Sequence, residues 1–253
     1  MFDVPYIVFL VSFVVLWCAA YLGDYAHKNF LVLKGDERED FGEVLAASLT
    51  LLGLLIGFSF SMAVTRYDLR KNYEEAEANA IGTEYVRADL LPAPDAAKLR
   101  NLLKKYLDQR ILFYETRDSG QILQIDAETA YLQAGLWSVA KNAANAQPTP
   151  VVALAVAGMN DVLNSQGFTQ AAWWNRIPAA AWVLMGAVGV CCNWLLGFHA
   201  RRSGVLLFIF SPLLLSIAFF LIADIDSPRG GMIRVSPQNL VNVAQIWARP
   251  ASN

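Results

Sequence analysis

The side chains best able to do chemistry in this 253-residue chain are few and scattered. The two histidines, His27 and His199, stand far apart in the sequence, and neither sits in a spacing that sets up a general base. The three cysteines, Cys18, Cys191 and Cys192, form no Cys-x-x-Cys pair and no Cys/His ligand pattern, so structural zinc is not expected. Glycine-rich phosphate loops, Gly-x-Ser-x-Gly elbows and His-Glu-x-x-His helices are all missing from the sequence, which argues against an enzyme. What remains is a set of charges. Asp224 and Asp226 are separated by one isoleucine and followed by Arg229 and Arg234. Their simplest chemistry is an ion pair with one of these arginines, or with Arg66. Glu74, Glu75, Glu77 and Glu84 form a second acidic group, expected to be the solvated face of a helix.

The elements that position these charges are marked by where charge is absent. Only 17% of the residues are charged, 56% are hydrophobic, and net charge is −2. Four stretches carry no charge at all: 4–23, 44–65, 177–198 and 203–223. Each is long enough to cross a bilayer as a helix. The first is preceded by Asp3 and no basic residue, and its apolar run is too long for a cleaved signal. A retained span is expected. No basic run is dense enough for nucleic acid. The reading is an all-α, multi-pass integral membrane protein with two hairpins, residues 1–65 and 177–223. Between them lies a helical extramembrane domain over 66–176, and a C-terminal tail covers 224–253. Lipid is the first partner.

The second span should run on into water, because no proline interrupts Arg66 to Leu91 before Pro92 and Pro94. Leu99, Leu102, Leu103, Tyr106, Leu107, Ile111 and Tyr114 recur at helical spacing, with Lys98, Lys104, Lys105 and Asp108 on the other face. Ser119-Gly120 is expected to break that helix, with another over 126–145 and a short apolar one after Pro150, ending at Leu163. Pro212 should kink the fourth span. Gly53 and Gly57 form a small-xxx-small pair that would let two membrane helices approach closely. Basic residues balance nearly evenly across the two membrane faces. The arginines flanking the middle domain place it in the cytoplasm, whereas Arg201-Arg202 in its short turn argues the opposite.

The segment Gly57-Phe58-Ser59-Phe60-Ser61-Met62-Ala63-Val64-Thr65-Arg66-Tyr67 resembles the second membrane helix of the bestrophin channels, with its Gly-Phe pair and Val-Thr-Arg-aromatic exit. Glu77 to Thr83, Arg87 to Pro92, Arg176-Ile177-Pro178 and Asp224 to Gly231 together look like the bacterial and plant family called bestrophin-like. The resemblance implies a homopentamer around one pore, conducting small inorganic ions, with anions favoured. It also implies a neck on the second helix at Thr50, Leu54 and Phe58. Positions i, i+4 and i+8 share one helix face, and a ring of Leu and Phe is a hydrophobic constriction that gates by dewetting. Thr50 departs from the apolar pattern, which would leave one end of the neck wetter. Bestrophins carry an acidic calcium cluster where Asp224 and Asp226 stand, but calcium needs six to eight oxygens and two aspartates supply too few. An ion pair is therefore preferred, and no cofactor other than that weak calcium candidate is expected. The alternative from another class is a non-conducting scaffold or sensor whose helical domain binds a partner. A bacterial host would place the chain in its inner, or plasma, membrane.

Overall fold

The computed structural model describes residues 4–29, 35–199 and 205–249. The turn with Arg201 and Arg202, and Lys34, lie outside the described residues. No strand occurs among the described residues, and the helices are α1 (Pro5–Asn29), α2 (Gly35–Arg87), α3 (Ala93–Glu115), α4 (Ser119–Ala146), α5 (Pro150–Trp174), α6 (Ala179–His199), α7 (Val205–Asp226) and α8 (Gln238–Ala248). Four helical stretches are long and apolar enough to span a membrane. The fold is all-α.

Two compact units are formed, Met1–Tyr67 with Arg176–Arg234, and Asp68–Asn175 with Val235–Asn253. Their boundary falls inside α2, which is unbroken for 53 residues and ends in a 3-10 turn, Ala88–Leu90. Glu and Ala concentrated in residues 74–80 favour this continuity, and Pro92 stops it because proline disfavours helical backbone in the residue before it.

In the membrane unit, α1 packs on α6 through small residues. A Cβ added at Gly23 would lie 2.0 Å from the Trp194 carbonyl oxygen, and one at Gly197 would lie 1.9 Å from that of Ala20. Both glycines bring one helix backbone directly against the other, the close approach that small residues allow. Leu16, Ala63, Ile177, Met185, Phe219, Ile222 and Ile225 form the core beside them. The close-packing glycines are thus on α1 and α6, while Gly53 and Gly57, the pair expected to do this, have open space around them. Between α6 and α7, Asn193 is fully buried, donates to the Gly189 carbonyl and accepts from the Ser211 hydroxyl. This satisfies the one amide side chain in the spans. The α7 helix continues through Pro212.

In the extramembrane unit, α3 buries Leu99, Leu103, Tyr106, Leu107 and Tyr114 of the stripe expected from spacing, leaves its Leu102 and Ile111 half-buried, and also buries Arg110 and Phe113. The break expected at Ser119-Gly120 falls earlier. Asp118 is the N-cap of α4, its carboxylate accepting from the Gly120 amide at 2.9 Å, so Ser119 and Gly120 are the first turn of a helix rather than its end. Thr149 caps α5 in the same way through Val152, with Pro150 in the first turn. That helix runs 25 residues to Trp174 instead of stopping at Leu163.

Candidate functional site

The α2 helix buries one face and leaves the other open. Leu52, Ser59 and Ala63 are buried, with Leu55 and Ile56 packed on the core. Thr50, Leu54 and Phe58 are exposed, Leu54 at 54% and Phe58 at 62%. The three residues therefore share a face that is open among the described residues. Gly53 and Gly57 fall on that open side as well. The Thr50 hydroxyl donates to the Ala46 carbonyl at 2.9 Å, and Thr65 does the same to Ser61. A hydroxyl bonded back to its own helix has its proton engaged, while its oxygen remains free to accept.

At the exit of α7, both aspartates are engaged by backbone amides. Asp224 accepts from Met232 N at 2.7 Å and Ile233 N at 2.9 Å. Asp226 accepts from Ile177 N with both oxygens, at 3.1 and 3.2 Å, which ties the end of α7 to the residues that open α6. Gly231 is needed here, since a Cβ would lie 2.3 Å from the Asp224 carbonyl oxygen. Ser227 closes the turn by accepting from the Gly230 amide. Arg66 and Arg229 lie half-buried in the same unit. Backbone capping of the acidic pair is a role that spacing alone did not reveal. Each of the four carboxylate oxygens accepts an amide proton, the two of Asp226 sharing the single Ile177 N–H. Among the described residues no group of three or more His, Cys, Asp or Glu could hold a metal.

The acidic run on the second half of α2 is not a solvated face. Glu74, Glu77 and Glu84 are buried, and only Glu75 is exposed. Glu77 accepts from Arg110 Nε at 2.5 Å, from the Tyr114 hydroxyl at 3.3 Å and from Thr169 Oγ1 at 3.1 Å. Burial, reinforced by the Glu77 charge, pushes the Tyr114 phenol above its ordinary range. Glu74 accepts from the Asn239 and Leu240 amides and from Asn239 Nδ2, capping the first turn of α8. Their spacing held the signal: Glu74, Glu77 and Glu84 share a 3–4 period with buried Ile81 and Ala88, so they lie on the inward stripe.

A long apolar helix with one open face, four spans and a helical extramembrane unit define a bestrophin-type channel fold in an integral membrane protein. The Bestrophin-like domain model matches residues 25–240. The chain belongs to the bestrophin-like family. Among solved structures, a bacterial Bestrophin homolog from Klebsiella pneumoniae is similar in several variant forms. One superposes with a TM-score of 0.65 at 12% identity, covering 94% of this chain and 96% of that one. Another gives 0.62 at 14% identity, covering 94% and 98%. A crystal structure described as a membrane protein gives 0.60 at 13% identity, covering 95% and 98%. No curated protein matches the sequence significantly.

Proposed function

We propose that this protein is a homopentameric channel for small inorganic ions, anions in preference to cations, with its pore along the open face of α2 and its neck at Thr50, Leu54 and Phe58. The observation that carries the reading is that large apolar side chains, Leu54 and Phe58, stand exposed on a face of a membrane helix that nothing among the described residues covers. Neighbouring copies around an axis would cover the glycine side of that face, and Leu54 and Phe58 would then meet their own symmetry mates. The apolar ring so formed is a dewetting gate. In a bacterial host the inner membrane is the expected location. The test uses protein in which Cys18, Cys191 and Cys192 have been replaced and Phe58→Cys introduced, with oxidative crosslinking and ion flux measured in liposomes. Crosslinks between subunits, and faster flux in Phe58→Ala through loss of the apolar ring, are expected. Monomers or dimers without flux would overturn the channel reading, and reversal potentials in a salt gradient decide the sign of the ion.

A further inference from the structure

One buried charge takes no part in the pore face, the exit turn or the α8 cap. Glu84, near the end of α2, is fully buried, and neither of its carboxylate oxygens has a hydrogen-bond partner. A buried carboxylate left this way is costly when ionised. Its surroundings come from α5. A Cβ added at Gly158 would lie 2.1 Å from Glu84 Oε2 and 2.4 Å from Arg87 Nη1, so the α5 backbone is laid directly over the carboxyl group. The facing charges are Arg87 on α2 and Asp161 on α5, which lie 3.8 Å apart, and Arg87 is thereby drawn toward Asp161. From the other elements packed on this part of α2, α8 carries no ionisable side chain, Asp89 of the 3-10 turn pairs with Arg100, and Arg100 and Lys104 of α3 lie over the Tyr85 ring.

We propose that the α2–α5 contact at Gly158 is a proton-operated clasp, closed while Glu84 is neutral and loosened when Glu84 ionises. The neutral carboxyl fits beneath the glycine with no partner beyond van der Waals contact. An ionised one needs water or donors, and the α5 backbone at Gly158 must lift to admit them. Burial, against the pull of Arg87 and with a push from Asp161, raises the Glu84 carboxyl to about 8 from an ordinary value of 4.5. The sign follows from linkage. The closed state holds its proton up to about pH 8, while the opened state releases it near pH 4.5, so opening is favoured progressively as pH rises between these values and no further above them. Over that window the opening constant should grow by up to about tenfold per pH unit. The clasp does not depend on ion conduction.

The experiment is hydrogen exchange on the full-length protein in detergent, from pH 5 to pH 9, following α5 amides from Val152 to Val162 after correction for intrinsic exchange. In the native chain protection should fall by up to about tenfold per pH unit, then level off near pH 8. Glu84→Gln, neutral at every pH, should remain protected with no such slope. Gly158→Ala, whose methyl must push the carboxylate and the Arg87 head aside, should lose protection already at pH 5 and flatten the slope. Protection independent of pH in the native chain, or the same slope in Glu84→Gln, would overturn the proposal. Should Glu84→Gln fail to fold, an unchanged slope in Gly158→Ala would overturn it instead.

Discussion

Removal of Glu77 should unfold the extramembrane unit more readily than any surface change. Glu77 and Arg110 have no solvent exposure on either side chain, and their ion pair is supplemented by hydrogen bonds from Tyr114 and Thr169. In Glu77→Ala the guanidinium remains buried without its counter-charge, and breaking a buried pair in this one-sided way costs about 3–5 kcal/mol. For a chain of this size that corresponds to a fall in Tm of roughly 6–20 °C. The guanidinium carbon lies 4.4 Å from the Phe113 ring centroid, and Phe113 lies 4.9 Å from Trp173. Near-ultraviolet circular dichroism therefore reports the loss of packing at this spot. The double variant Glu77→Gln with Arg110→Met keeps an acceptor for Tyr114 and Thr169 and removes the stranded cation, so it should recover at least half of the lost Tm. A single variant that melts within 2 °C of the native chain, or a double variant no better than Glu77→Ala, would refute the reasoning.

The α1–α6 contact gives a second test. Gly197→Ala places a methyl against the Ala20 carbonyl, where backbone rather than a movable side chain must yield, so a loss of about 3 kcal/mol is expected. Gly186→Ala on the same helix, with nothing nearby, should leave the melting curve of detergent-solubilised protein unchanged. At the exit turn, Asp224→Ala removes two charge-assisted hydrogen bonds worth about 1.5–3 kcal/mol each before water replaces them, for a net loss of about 2–4 kcal/mol. Melting with calcium and with chelator should coincide for the native chain, and a calcium-dependent rise that disappears in Asp226→Ala would restore a metal site there.

Some of this was legible because the bilayer imposes a simple rule on sequence. A span must be apolar over its whole length, so four charge-free stretches of about 20 residues suffice to place α1, α6, α7 and the first half of α2. The continuation of α2 was legible for a similar reason, since helix breakers are local and none lies before Pro92. Which face of each helix meets another is a different matter. Gly53-Gly57 and Gly197 have the same composition signal, yet within one chain it is Gly197, with Gly23 on α1, that meets a helix backbone. Small residues permit close approach, and tertiary structure decides where it happens. The acidic residues show the same division. Glu74, Glu77 and Glu84 read from the sequence as a solvated face because the cost of burying a carboxylate depends on what surrounds it, and the surroundings are remote in the chain: Arg110 receives Glu77, the α8 amides receive Glu74, and Gly158 covers Glu84. Asp224 and Asp226 read as partners for arginine because charge attracts charge at any spacing. The folded chain also brings backbone amides of residues 177, 232 and 233 to their oxygens. Backbone donors are present at every residue and so leave no mark in sequence; only the path of the chain through the turn reveals which ones are left over for a side chain to satisfy.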